Sequence, residues 1–274
     1  MNIIDIILIE TNILMLAHIN THHRDNLITF DEPTHIYTIK NDPAAYTSCT
    51  TFNAQHFQGF NADEVIKKMM QSARWTSSPY FGMSVDEIKK KWKDSGVVAS
   101  TLGTALHYYI ECYYNKSGCS WDLREKLLVN DPTSLDHFEQ FVAANKHLVP
   151  YRTEWMIYNE DLKIAGSIDA VFVNEDGTYS IYDWKRSKEI KKTAFGGAWA
   201  KTECISHIPD SNYWKYALQL NVYKAILEEK YGITVSELCL VVLHPDNKSF
   251  IKMTMPVLKE EINALFKWRL EQLV

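Results

Sequence analysis

The stretch Gly166–Lys185, GSIDAVFVNEDGTYSIYDWK, concentrates the residues best able to do chemistry. Asp169 closes one strand-like run. Asp183 and Lys185 close the next, after the turn-forming Asn174-Glu175-Asp176-Gly177. Two adjacent strands joined by such a turn can bring both carboxylates together, and two carboxylates on rigid backbone make a hard-oxygen site suited to Mg²⁺ or Mn²⁺. Lys185 follows Asp183 by two residues and so shares its strand face. An ammonium beside the carboxylates can orient or help deprotonate an attacking water and stabilise phosphate charge. Asp-x-Lys on a strand is also a common surface ion pair, and spacing alone leaves both readings open.

Two further groups have the right character. His107 falls early in a helical stretch, in GTALH, where a neutral imidazole can serve as another metal ligand. Glu111 lies one turn later on the same face. Gln219 and Tyr223 stand four residues apart in a longer helical stretch and share a face. Beyond the Asp-x-Lys strand, Lys185, Arg186, Lys188, Lys191 and Lys192 face one acid, Glu189, a local net charge of +4 over residues 185–192. A basic strip next to a metal site supplies phosphate neutralisation. Trp184, Phe195, Trp199, Tyr213 and Trp214 are close by in sequence and could stack on unpaired bases, each with core packing as the plain alternative.

The elements that must position these residues read as mixed α/β. Residues 27–40 carry two short β-like runs around Glu32-Pro33, a hairpin signal. Helical periodicity follows over Ala62–Trp75, Val85–Trp92 and, after a Gly-containing turn, Thr101–Tyr114. Pro132-Thr133-Ser134 caps a helix over Leu135–Leu148, which Pro150 ends. Strands are expected at Arg152–Tyr158, Ile164–Val173 and Tyr179–Trp184. Ser211 then caps a helix running to about Glu229, strands follow at Leu238–Leu243 and Phe250–Met255, and Pro256 opens a last helix. The whole is a helical N-terminal half, about 60–148, ahead of a mixed sheet core, about 150–255, and a C-terminal helix. Lys89, Lys90, Lys91 and Lys93 read as a solvated helix face or a DNA-backbone contact.

The chain has 274 residues, of which 46% are hydrophobic and 23% charged, with a formal net charge of −5. That excludes a disordered or fibrous chain and a globally basic nucleic-acid binder, though a local basic groove stays compatible with it. The five cysteines include no CxxC pair, so a zinc ribbon is not expected, and their odd count and irregular spacing fit a reducing, intracellular setting. Residues 3–19 are apolar but carry Asp5 and Glu10 and lack a basic leader, which argues against a spanning helix or signal peptide. Residues 1–26 then form either a packed first element or an extension ahead of a domain covering 27–274.

Taken together, GxxxH, GxxD, DxK on the next strand and QxxxY on a following helix resemble the RecB-like branch of the PD-(D/E)xK nuclease superfamily. Within it, AGSIDAVF and YDWKRSK look most like the mitochondrial genome maintenance exonuclease group and related viral exonucleases. The resemblance covers about residues 30–255. It implies a restriction-endonuclease-like core that hydrolyses DNA with one or two Mg²⁺ or Mn²⁺ ions. Carried over by position, it makes His107, Asp169, Asp183 and the backbone carbonyl of Trp184 metal ligands and Lys185 the catalytic lysine. Gln219 and Tyr223 would support the site and contact DNA. Glu154 matches an acidic position at the start of the first core strand, and a strand-edge charge is its plain alternative. The clustered cysteines that hold an iron–sulfur cluster in some members are missing, and no P-loop occurs, so a helicase or polymerase partner would be a separate chain. The expectation is a DNA exonuclease preferring single-stranded or tailed DNA. A flap endonuclease or a non-catalytic nucleic-acid-binding module are the alternatives.

Overall fold

A computed structural model of the chain describes residues 15–116 and 120–273. Its centre is a six-stranded mixed sheet built from β3 (Thr47–Ser48), β4 (Val149–Asn159), β5 (Ile164–Val173), β6 (Tyr179–Lys185), β7 (Val235–Val242) and β8 (Ile251–Thr254). β4, β5 and β6 form an antiparallel meander, β6 and β7 are parallel, and β8 closes the far edge antiparallel to β7. The two-residue β3 lies parallel to the start of β5. The parallel step needs a crossover, and α7 (Asn212–Lys230) supplies it.

Helices cover both faces, so the central strands are apolar on both sides. α2 (Cys49–Ala54), α7 and α8 (Lys259–Gln272) pack on one face, where Phe52, Trp155, Ile168, Ile181, Leu220 and Leu265 belong to one core. α4 (Val85–Asn115), α5 (Ser120–Asn130) and α6 (Pro132–Ala144) cover the other, around Leu106, Ile110, Phe138, Phe172, Tyr182 and Trp184. α3 (Ala62–Met70) packs against the outer half of α4. A separate hairpin, β1 (Ile28–Asp31) with β2 (Ile36–Ile39), is fixed to the sheet through Ile28, Tyr37, Ile39, Tyr158 and Ala165.

The strand and hairpin assignments agree with the pattern of the sequence, and the architecture is mixed α/β. Several local expectations fail. α6 is capped by Asp131, carries Pro132 in its first turn and ends at Ala144, instead of being capped at Pro132–Ser134 and running to Leu148, and α8 starts at Lys259, three residues after Pro256. Residues 85–115 form one helix of 31 residues, not two helices broken at a glycine turn. Ser84 and Glu87 close a capping box at its start, and Lys116 in the left-handed region ends it. Gly96 and Gly103 face open space, so helix geometry there is limited only by propensity, which anchoring at both ends overrides. Pro150 does not end a helix. It lies within β4 beside the irregularity between Pro150 and Arg152, where the ladder has no need of its N–H. Ser211 precedes α7 without capping it, because its hydroxyl donates to the Lys192 carbonyl.

Residues 15–26 are a packed first element. α1 (Met15–Ile19) lies on β4, the Asn20 amide donates to the Tyr151 carbonyl, and Asp25 accepts from both the Arg152 guanidinium and the Trp155 indole. Residues 1–14, which carry most of the apolar N-terminal run, lie outside the described residues. No helix among the described residues is long and apolar enough to cross a membrane.

At Gly166, β5 passes close to α2 and α7. A Cβ there would stand 2.8 Å from both Cys49 Sγ and the Tyr223 ring. Gly166→Ala should therefore lower unfolding stability by about 1–3 kcal/mol through overpacking, measured as a shift in the denaturant midpoint. An unchanged midpoint would show that the two side chains can give way.

Candidate metal centre

The site forms where β5 and β6 part. Their ladder runs from Val173 opposite Tyr179 to Ala170 opposite Tyr182 and ends there. Trp184 still pairs with β7, but its N–H and C=O on the β5 side have lost their strand partner. A buried peptide group cannot stay unpaired cheaply. The Asp169 carboxylate takes the Trp184 N–H at 2.8 Å, and His107 Nε2 lies 2.9 Å from the Trp184 carbonyl. Two side chains thus replace a missing rung, and both are residues that the sequence singles out.

This pairing also fixes the imidazole. A carbonyl only accepts, so Nε2 carries the proton and neutral His107 presents the lone pair of Nδ1. Nδ1 faces Asp169 Oδ2 at 3.6 Å and Glu154 Oε1 at 3.9 Å. These three acceptor atoms lie within 4.8 Å of one another. Glu154 reaches the cluster from a left-handed backbone, φ 42°, in the middle of β4. Such a conformation costs a non-glycine residue about 1–3 kcal/mol. The Ser167 hydroxyl donates to its other oxygen at 3.1 Å. Glu154, carried by the resemblance, thus joins His107 and Asp169.

Asp183 and Lys185 share the opposite, α7-facing side of β6, as their spacing requires. Lys185 Nζ sits 2.6 Å from Asp183 Oδ2 and over the Tyr216 ring at 5.2 Å. The Asp183 contact has the distance of an ion pair without the angle of a directed hydrogen bond. The Asp183 side chain is only 3% exposed. Burial, then the neighbouring Asp169, push its carboxyl up to about 6 against the pull of Lys185 and His107. Burial works to lower Lys185, but Asp183 and Asp169 outweigh it and hold the ammonium above its ordinary value. Gln219 donates to Tyr223 at 3.0 Å and reaches Asp183 Oδ1 at 3.5 Å, so the pair on α7 does lean on the acidic residue.

The centre has more carboxylates than cations. Burial lifts Glu154 well above the usual carboxylate range, and Asp169, Glu111 and Asp183 lift it further. Burial alone raises Glu111 to about 7. Glu111 lines the same cavity of about 520 Å³ as His107 and Glu154, bounded on its far side by Phe30 and Tyr37 of the hairpin.

The basic strip is less free than its sequence suggests. Arg186, expected to contact DNA, turns inward to Asp131 at 2.5 Å and locks the cap residue of α6, because a half-buried guanidinium needs its carboxylate. Trp184 fills the α4-side core at 1% exposure and cannot stack on a base. Tyr213 is buried beneath Lys192 at 4.8 Å. Trp214 spends its indole N–H on the Lys192 carbonyl, and Trp199 stays exposed. The Phe195 side chain lies outside the described part. Lys188 and Lys191 pair with Asp246 and Glu189 on the surface, contacts worth about 0–1 kcal/mol that phosphate can displace. Ser167 and Tyr216 were not singled out from the sequence. Each sits at the face-sharing spacing of a residue that was, two before Asp169 and three before Gln219.

No family model and no curated protein matches the chain. Among solved structures, the crystal structure of SSO0001 matches over 65% of this chain and 75% of its own, at 17% identity and a TM-score of 0.26. That likeness is too slight to carry an argument about either fold or function.

The Glu111 carboxyl gives a pH signature. Its folded value, about 7, stands above its ordinary 4.5, so between these the folded chain keeps a proton that the unfolded chain has lost. Stability must fall as pH rises through that window. In metal-free protein, Glu111→Gln should unfold like the parent near pH 4.5 and be more stable by roughly 2–3 kcal/mol at pH 8. Denaturant titrations at both pH values in EDTA check this. An equal effect at the two would mean that Glu111 gains no proton on folding.

Proposed function

We propose that this chain is a metal-dependent deoxyribonuclease with a restriction-endonuclease-like core, acting as an exonuclease on single-stranded DNA or DNA ends. One observation carries the reading. Ligand atoms of His107, Glu154 and Asp169 converge within 4.8 Å of one another, with His107 Nδ1 facing both carboxyl groups, next to a buried Asp–Lys pair. Such convergence of lone pairs and negative charge suits a cation.

The donor set, one imidazole and carboxylate oxygens, fits Mg²⁺ or Mn²⁺. His107, Glu154 and Asp169 would hold it, with Asp183 as a further carboxylate. Bound there, the ion would neutralise a phosphodiester and lower the pKa of a water. Lys185 is held protonated, which suits it to stabilise phosphate charge and orient water more than to remove a proton. Gln219 and Tyr223 brace Asp183. His107, through the Trp184 carbonyl, keeps the fork of the sheet aligned with the ligands. Lys188, Lys191 and Lys192 supply exposed positive charge beyond the strand end for the phosphate backbone.

The test is digestion of linear single strands blocked at the 5′ or 3′ end, and of circular single strands, with Mg²⁺, Mn²⁺ or EDTA. Shortening of linear strands from one end, intact circles and no reaction in EDTA are expected. Cut circles would make the enzyme an endonuclease, and metal-insensitive or absent cleavage would remove the reading. Asp183→Asn and Lys185→Ala should each lower kcat/KM by about a hundredfold or more while leaving the fold intact. His107→Ala should raise the metal concentration for half-maximal activity. A variant that loses only thermal stability would mark His107 as a brace of the fork alone.

A further inference from the structure

The wall of the cavity opposite the metal centre has no part in the chemistry above. It is made by the β1–β2 hairpin, whose base is buried and whose tip projects. Tyr37 is 8% exposed and belongs to the core cluster that fixes the hairpin. Phe30, at 36%, lies against the Tyr37 ring with centroids 4.5 Å apart and 34° between planes, and has His35 at its edge 5.8 Å away. Phe30 is thus an exposed aromatic supported from behind by a rigid one, and it lines the same cavity as His107 and Glu154.

We propose that this cleft binds the base of an unpaired nucleotide, with Phe30 as its stacking platform, while the adjoining phosphate lies at the metal centre. The inference rests on the nuclease reading and deepens it. Charge decides what faces the hairpin. The cavity is lined by Glu32, Glu111 and Glu154 and, among the described residues, by no lysine or arginine, so nothing in it but a bound cation would offset the charge of a phosphate. A base is neutral, offers a flat π face to Phe30, and carries ring or exocyclic N–H groups that carboxyl oxygens accept. Size agrees, since about 520 Å³ falls in the range of small-molecule sites and is far too little for a duplex. A paired base keeps its faces in the stack, so Phe30 can use only an unpaired one. Gly103, on the α4 wall, has nothing within 4 Å of a would-be Cβ and keeps that side of the cleft open.

A double-mutant cycle between protein and DNA tests this. The probes are a single strand with 2-aminopurine at its terminal nucleotide and the same strand with an abasic terminal residue. Each is assayed against the parent chain, Phe30→Ala and Phe30→Trp, for cleavage with Mg²⁺ and for fluorescence with Ca²⁺. Stacking of about 1–3 kcal/mol corresponds to a five- to 150-fold rise in KM for Phe30→Ala. The loss should fall mainly on KM, with rescue by Phe30→Trp. The parent should quench the 2-aminopurine and Phe30→Ala should not. The abasic strand should bind the parent as weakly as Phe30→Ala binds either strand, because the two deletions remove one interaction. Unchanged KM and quenching in Phe30→Ala, or additive losses, overturn the proposal. If the parent cleaves nothing but quenching still depends on Phe30, the nuclease reading falls and the base cleft stands. If it neither cleaves nor quenches, both fall. Phe30 is partly exposed, and an unchanged thermal midpoint shows that Phe30→Ala has kept the fold.

Discussion

The arrangement depends on one broken rung. β5 and β6 separate after Ala170 and Tyr182, and the peptide groups of Trp184 that β5 would have satisfied need other partners. Asp169 takes the N–H and His107 the carbonyl. Because the imidazole must donate through Nε2, its other nitrogen is committed to face two carboxylates. A backbone requirement thus sets the tautomer, the orientation of the ring and the placement of α4 on the sheet. The chemistry of the centre follows from satisfying a strand end, which is why both side chains sit on rigid elements and not on loops.

Charge balance works against this arrangement and indicates its use. Asp183 is almost fully buried and tolerable there only beside Lys185. Glu154 and Glu111 are held toward their protonated forms by burial, and Glu154 also sits in a backbone conformation that β4 would not choose. Each of these costs folding energy, and Lys185 beside Asp183 and the Ser167 hydroxyl on Glu154 offset only part of it. Stability is given up in this way where activity needs preorganised, destabilised groups. A cation among the three acceptors would remove most of the conflict at once. Binding of an ion there would then stabilise the folded chain by mass action.

What the sequence reveals follows the range of the physics involved. Strand alternation is local, so Asp183 and Lys185 fall on one face as their spacing requires. The strand-like run Ile164–Val173, bounded by the Asn174–Gly177 turn, gives both ends of β5. The (i, i+4) relation places Gln219 and Tyr223 together. The helix ends of α4 were misjudged because a glycine inside a helix and one after it have the same composition, and only tertiary anchoring separates them. The inward turn of Arg186 and the core position of Trp184 escape the sequence for a different reason. Whether a cation finds a carboxylate 55 residues away, or an indole a core, depends on how α6 and α4 lie on the sheet, and no short window contains that. The left-handed turn of Glu154 has no signal in its residue type at all.

The sheet fork also explains why the centre can be reached from two sides that do different work. Strand pleating sends Asp183 and Lys185 toward α7, while Asp169 and Glu154 face His107 on α4. The ammonium is therefore packed under Tyr216 and braced from one helix, and the cluster of acceptors opens from the other side into the cavity beneath the hairpin. On the proposed reading, a phosphate at the fork would meet a fixed positive charge from behind and a metal in front, with its base directed away from both. The acidic lining then becomes intelligible. A lining with no lysine or arginine among the described residues gives a bare phosphate no partner, so productive binding would require the metal, and a strand could not settle in the cleft without the ion that makes hydrolysis possible.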